Sequence, residues 1–382
     1  MKLLFDLQPV QPRGVAKRDG GGRHCEAVFR RMVEKGAKFS CYYDSKRWFS
    51  PDLKELIERN NIPLFDISKE SLQELVDREH FDRLYSCLPR DKELFLKNVE
   101  IFVTIHGIRG VETPFDDFAY FSFNRGLKTR IVWLLRKATR NFKFRRRKQE
   151  RLFYQRYAKP NCHVITVSEH SKYAMQSYFP QIAKCDVRLF YSPDISVEVE
   201  NLKAEGEAAG EKYFLCVSGN RWEKNVLRAI IAFDKLKSFG RLQGFRMKVT
   251  GATKEEIHYR LQNPQAFDFL GYVSDEELER LYAGSYLFVF PSINEGFGFP
   301  PIEAMRYSVP VIASPFSALA ETCAGGALFF NPLSVEEIMT RMLMMTDPQT
   351  HEKYSKLAHE QYLKIKARQE EDLDRLTEYI TS

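Results

Sequence analysis

Val289-Phe-Pro-Ser-Ile-Asn-Glu295-Gly-Phe-Gly298-Phe-Pro-Pro-Ile-Glu303-Ala304 is the stretch on which the reading of this chain turns. Its first two residues close the apolar run Tyr286-Leu-Phe-Val-Phe290, which predicts a buried strand. The chain turns at Pro291-Ser292. A Glu295-Gly296-Phe297-Gly298 loop then meets the start of a helix, with Pro300 and Pro301 near its first turn, where a missing N–H costs nothing. Strand, glycine loop and helix N-terminus together make a construction for holding an anion. Free N–H groups and the helix dipole favour negative charge, and glycines let a ligand approach the backbone. Glu295 sits at the mouth of the loop and Glu303 about one helical turn inside. Carboxylates beside a phosphate repel it unless they reach past it to hydroxyl groups, for which they are strong acceptors. A ligand with hydroxyls on both sides of a diphosphate is a nucleotide-sugar. The plain alternative is a loop carboxylate at Glu295 and a solvated helix residue at Glu303; the pair with this loop between them argues for the site.

Glu295 followed by Glu303, inside Glu-Gly-Phe-Gly-Phe-Pro-Pro-Ile-Glu-Ala-Met, resembles the donor-binding motif of retaining glycosyltransferases of family 4, the glycosyl transferases group 1. The likeness extends to Phe269-Leu-Gly-Tyr-Val-Ser-Asp-Glu-Glu-Leu278 before it and to Val309-Pro-Val-Ile-Ala-Ser314 and Ala320-Glu321 after it. Ser308 stands where the family usually has Gly, and Ser accommodates positive φ poorly. The resemblance implies an α/β chain of GT-B fold: two Rossmann-like parallel-sheet domains facing a central cleft, with a C-terminal helix crossing back to the first. On that plan residues 1–194 form an acceptor-side domain, 195–211 an acidic, glycine-containing linker, 212–362 the nucleotide-sugar domain and 363–382 the returning helix.

The second half opens with the strand Lys212-Tyr-Phe-Leu-Cys-Val-Ser-Gly219 and the turn Asn220-Arg-Trp-Glu-Lys224-Asn225, leading into a helix with Val226, Ile230, Ile231 and Phe233 inward. Cations just before a helix N-terminus oppose the dipole, so Arg221 and Lys224 gain a rationale if an anion docks there. A solvated Lys-Asn turn is the alternative. The family places an Arg and a Lys on the donor diphosphate at this turn. Lys224 falls on the Lys position; the Arg position falls on Gly219, which leaves Arg221 as a displaced substitute. The resemblance also puts the backbone around Tyr272 and Val273 beside the nucleobase. Further helices are expected over Ser334 to Met345 and Glu352 to Ile380.

In the first half, Lys2-Leu-Leu-Phe-Asp-Leu7 predicts a strand, Asp19-Gly20-Gly21-Gly22 the end of a loop, and Arg23 to Lys35 an amphipathic helix with Val28, Phe29 and Met32 on one face. A glycine run is more often a plain turn. By resemblance this one is the loop that faces the donor diphosphate across the cleft. Glu100-Ile-Phe-Val-Thr-Ile105 predicts a buried strand ending in His106, at the carboxyl end where open α/β sheets bind ligands. The family's Thr-x-His loop lies beside the transferred sugar; a hydrogen-bonded structural histidine is the alternative. Ser168 reads as an N-cap.

The 382 residues carry a net charge of +7 and are 44% hydrophobic, enough for two cores. No run approaches the ~20 apolar residues of a membrane span. Seven singly scattered cysteines, with no Cys-x-x-Cys pair, suggest a reduced, cytoplasmic chain. Residues 128–151 concentrate Lys and Arg among Trp133, Leu134, Leu135, Phe142 and Phe144, with Glu150 the single acid. Such a block could lie on anionic lipid at the inner membrane face, bind an acceptor, or be solvated. No recognised module accompanies it, so no nucleic-acid partner is expected.

The resemblance implies a retaining transfer of a hexose, mannose or a deoxyhexose favoured, from a nucleoside-diphosphate sugar to a glycan or lipid-linked glycan hydroxyl. Lys224 and Arg221, with the glycine-loop N–H groups, would stabilise the departing diphosphate, and no metal or other cofactor is expected. Glu303 would accept from ribose hydroxyls, Glu295 from the transferred sugar, and His106 would lie over the sugar ring. A nucleotide-sugar isomerase on the same fold and a non-catalytic adaptor built on residues 128–151 remain as alternatives.

Overall fold

The computed structural model describes residues 2–12, 20–89, 96–113, 131, 155–195, 212–257 and 259–382. The basic block 128–151, apart from Ile131, and residues 196–211 of the expected linker lie outside the described residues, as do residues 114–127 of the aromatic-rich segment before the block. The described residues divide into two compact units. One draws on residues 1–108, 148–195 and 366–382, the other on 109–147 and 196–365.

The first unit is built on a seven-stranded parallel sheet. Its strands are β1 (Leu3–Asp6), β2 (Ser40–Tyr43), β3 (Leu64–Asp66), β4 (Arg83–Ser86), β5 (Glu100–Ile105), β6 (Cys162–Thr166) and β7 (Arg188–Leu189), in the spatial order β3-β2-β1-β4-β5-β6-β7. All four residues of β1 are buried, as a strand covered on both faces requires. Helices α1 (Gly20–Glu34), α2 (Pro51–Arg59) and α3 (Leu72–Glu79) flank the sheet sequence. Leu3 and Phe5 pack with Val28, Phe29 and Met32 of α1, the face its periodicity marks. The same cluster takes Leu373, Leu376 and Ile380 from the long C-terminal helix Pro348–Thr381. Ser168 caps its helix by accepting from the Ser171 N–H at 3.1 Å. One expectation is corrected: α1 begins at Gly20, so Gly20, Gly21 and Gly22 form its first turn and not a loop before it.

The second unit carries a six-stranded parallel sheet, β8 (Lys212–Cys216), β9 (Phe245–Thr250), β10 (Phe267–Gly271), β11 (Leu287–Phe290), β12 (Val311–Ala313) and β13 (Ala327–Phe329), ordered β10-β9-β8-β11-β12-β13. A one-turn helix, α4 (Arg109–Glu112), clusters with this unit. The chain runs outward from β8 to β10, then returns to lay β11 on the other side of β8. That reversal is the switch point at whose carboxyl edge open α/β sheets bind ligands. Phe290 of β11 is followed by the glycine loop and then by the helix Phe299–Arg306, with proline in its first turn as its sequence predicts. Ser308 does adopt positive φ, at 59°, and its carbonyl accepts from the Ser355 hydroxyl at 2.7 Å. The left-handed turn is therefore kept without glycine.

Candidate active site

Lys224 and Glu295 come from the two loops that leave the switch-point strands. Lys224 ends a 3-10 turn, Trp222–Lys224, after β8; Glu295 follows β11. Asn225 next to Lys224 takes the left-handed conformation at φ 58°, and its amide donates to the carbonyls of Pro291 at 2.9 Å and Pro332 at 2.7 Å. That anchoring turns the Lys224 side chain inward. Its Nζ donates to Glu295 Oε1 at 2.6 Å and lies 4.9 Å from the centre of the Phe290 ring. Both side chains are buried.

The pair is further constrained from the Glu295 side. Ser292 Oγ donates to Glu295 Oε1 at 2.5 Å, and the Glu295 N–H donates to Ser317 Oγ at 2.7 Å. Burial pushes the Glu295 carboxyl up, but the charges of Lys224 and Arg109 with the Lys224 and Ser292 hydrogen bonds outweigh it, leaving Glu295 below the usual carboxylate range. Burial pushes the Lys224 ammonium down, and Glu295 pulls it partly back. The anion that the turn's cations called for is, in this structure, a carboxylate of the protein.

Glu223 joins the two loops. Its backbone carbonyl accepts from the Ile293 N–H at 2.9 Å, and its Oε1 accepts from Arg221 Nη2 and from Arg109 Nη1, each at 2.8 Å. Arg221 thus lies on Glu223, with its side chain 43% exposed. Gly219 cannot supply a cation in its place, because a Cβ there would stand 2.9 Å from both Ala252 Cβ and Val249 Cγ1. The Gly296-Phe297-Gly298 loop is held by Thr322, whose hydroxyl donates to the Phe297 carbonyl at 3.0 Å. Gly298 has φ 96°, and a Cβ on it would meet Leu319 Cδ2 at 2.5 Å. Glu303 is buried in the following helix, where its Oε2 accepts from the Tyr282 hydroxyl at 2.9 Å. Tyr272 is 72% exposed beyond β10, and Val273 beside it is half-buried.

His106, Gly20, Gly21 and Gly22 belong to the first unit. His106 Nε2 lies 2.8 Å from the Cys87 carbonyl. A carbonyl only accepts, so that nitrogen carries the proton. The His106 ring meets the edge of the His24 ring, with centroids 4.6 Å apart, which brings the start of α1 and the end of β5 together. His24 Nδ1 lies 2.7 Å from Ser192 Oγ, while its buried Nε2 has no partner among the described residues. Burial pushes the His24 imidazole well below its ordinary value, and His106 adds to the shift.

Sequence reasoning brought Lys224, Arg221, Glu295 and the glycine loop together. It missed Glu223, Arg109 and His24. Glu223 stood in plain view between Arg221 and Lys224, and His24 two residues after the glycines. Arg109 carried no local signal, since its partners are more than a hundred residues away in the chain.

Two units of this design, each a parallel sheet with loops gathered at its carboxyl edge, define a GT-B architecture. Solved structures agree across nearly the whole length. A glycosyltransferase from Rickettsia africae superposes with a TM-score of 0.64 at 15% identity, over 99% of this chain and 98% of that one. Anabaena HepE, solved with UDP and glucose, gives 0.63 at 15% identity, over 98% and 100%. Residues 198–361 match the family model described as glycosyl transferases group 1. Over that region the chain is similar to the members of that family. Among curated relatives, the O-antigen chain mannosyltransferase RfbU of Salmonella typhimurium is 38% identical over 127 residues, covering 32% of this chain and 35% of RfbU. The O-antigen chain mannosyltransferase B of Escherichia coli is 44% identical over 75 residues, 20% of each chain. The matches thus span about a third and a fifth of those relatives' lengths.

Proposed function

We propose that this chain is a retaining hexosyltransferase that moves a sugar, mannose first, from a nucleoside diphosphate to a hydroxyl of a glycan or lipid-linked glycan. One observation carries the reading: a buried Lys224–Glu295 pair at 2.6 Å on the two loops that leave the switch-point strands β8 and β11, beside a glycine loop that opens a helix. A buried ion pair is a poor source of stability, because desolvation offsets most of its attraction. Its position therefore calls for another use. Negative charge builds on the departing diphosphate as the glycosidic bond breaks, and fixed cations and N–H groups in a water-poor site stabilise it. In this reading Lys224 turns from Glu295 to the diphosphate, and Glu295 is released to hold hydroxyls of the sugar. Glu303, oriented by Tyr282, takes the ribose hydroxyls. Tyr272 and Val273 lie at the base. Protein cations supply the counter-charge, so the reading calls for no metal ion. The mannosyltransferase names of the relatives support mannose over other hexoses.

The test is a donor screen with one paired variant. GDP-mannose at ~100 times its dissociation constant should stabilise the protein by ~2.7 kcal/mol, a readily seen thermal shift. Lys224→Ala alone would leave Glu295 buried without its partner, which costs about 3–5 kcal/mol of stability. Lys224→Met with Glu295→Gln removes both charges and should fold like wild type while releasing nucleoside diphosphate from the donor at least ~100-fold more slowly. Wild-type turnover in that double variant would remove the assignment.

A further inference from the structure

We propose that Arg109 binds the donor diphosphate directly, through the side edge of its guanidinium; this rests on the donor-site reading above. Arg109 is the first residue of α4, and the chain passes from the first unit to the second just before it. Three of its nitrogens have been placed. Nη1 donates to Glu223 Oε1 at 2.8 Å. Nη2 stands 4.0 Å from Glu295 Oε2, beyond hydrogen-bond distance. Nε is buried and has no acceptor among the described residues. Nε and Nη2 are the two parallel donors of one edge, the fork that grips two oxygens of a phosphate or carboxylate at once. That edge is the unused one. A buried donor without an acceptor is rare in a native fold, and it asks for a partner from outside.

The charge around the fork points to an anion. Arg109, Arg221 and Lys224 stand against Glu223 and Glu295, three cations to two carboxylates, a surplus of one positive charge. The other two cations are engaged. Lys224 is buried on Glu295, and Arg221 lies on Glu223 through both Nε and Nη2, at 3.1 and 2.8 Å. Glu223 holds Arg109 by Nη1 alone, which fixes the plane of the guanidinium and leaves the fork edge unpaired. The tightly packed Gly219 leaves no room for a side chain on the strand side of the turn, so a second diphosphate cation has to come from elsewhere in the unit.

Binding of GDP, UDP and dTDP, and of guanosine, uridine and thymidine, to wild type, Arg109→Ala and Arg109→Lys tests this, with circular dichroism to show that each variant folds. Charged hydrogen bonds of this kind correspond to about a tenfold to hundredfold change in affinity. Arg109→Ala should lose that much for the diphosphate that wild type binds best and none for its nucleoside. Arg109→Lys, which keeps the charge and loses the fork, should fall between; it carries the test if the alanine variant does not fold. Undiminished diphosphate binding in the variants, or an equal loss for diphosphate and nucleoside, overturns the role of Arg109 and leaves the donor site standing. If wild type binds none of the three diphosphates, the donor-site reading fails as well.

Discussion

His24 shows what a single buried side chain can do to this molecule. It is 1% exposed, with Ser192 on one nitrogen and nothing among the described residues on the other, and its ring sits against that of His106. Burial, with His106 second, holds its folded-state pKa well below the ordinary 6.5. The consequence has a definite sign. As pH falls below ~6.5 the unfolded chain binds a proton at His24 and the folded chain does not. Stability is thus fully present above ~6.5 and declines as pH drops toward the folded-state pKa, at up to ~1.4 kcal/mol per pH unit. His24→Gln keeps a polar group beside Ser192 without the titration. Thermal midpoints measured across the range from about pH 7.5 to about 5.5 should therefore fall less steeply in the variant than in wild type. Equal slopes would mean that His24 is not held neutral. Lys224 shows the same pull of burial against a neighbour: burial pushes its ammonium down, and Glu295 at 2.6 Å pulls it partly back.

At the scale of elements, the construction that matters is β11, the glycine loop and the helix Phe299–Arg306. Gly298 enters that helix at φ 96°, a conformation an L side chain resists by ~1–2 kcal/mol, and a Cβ would press Leu319 Cδ2 at 2.5 Å. Overpacking of this kind adds about 1–3 kcal/mol. Gly298→Ala should therefore destabilise the second unit by ~2–5 kcal/mol, read as a lower urea midpoint at unchanged m-value. A variant as stable as wild type would show that the loop relaxes freely. The sequence made this element legible because its parts are local: an apolar run for the strand, glycines for the loop, prolines for the first turn. The start of α1 was misplaced by three residues because glycine marks loops by propensity, whereas here it forms a helix's first turn. Ser308 was doubtful for the same reason, yet its turn forms at φ 59°. Glu223 and Arg109 escaped because their meaning lies in which loops a parallel sheet brings side by side. No window of sequence contains the partners Arg109, Glu223 and Glu295 together.

For the whole molecule, the two parallel sheets were expected from the family resemblance and the long final helix from its charged, helical segment, whereas the order of strands within each sheet is set by contacts that no local pattern carries. That helix spans 34 residues, about 51 Å at 1.5 Å per residue. Its residues up to 365 cluster with the second unit, and those from 366 onward with the first. In the first unit Leu373, Leu376 and Ile380 join the cluster around Phe5 and Phe29, while Asp372, fully buried, accepts from the Tyr191 N–H and from Arg368 and Arg375. A first core that is completed by residues 366–382 depends on a segment far along the chain from its first strands. Leu376→Asp places an unpaired charge where the side chain is 1% exposed, so it should weaken the first unit by several kcal/mol. The free cysteines report which unit responds. Cys25, Cys41 and Cys87 are buried in the cluster that holds Leu376, whereas Cys216 and Cys323 are buried in the second unit. Under mild denaturant, a thiol reagent followed by peptide mass analysis should label Cys41 faster in Leu376→Asp than in wild type, with Cys216 unchanged. Acceleration at Cys216 equal to that at Cys41 would instead mean that the two units unfold as one, and that the terminal helix couples them more tightly than either core holds itself.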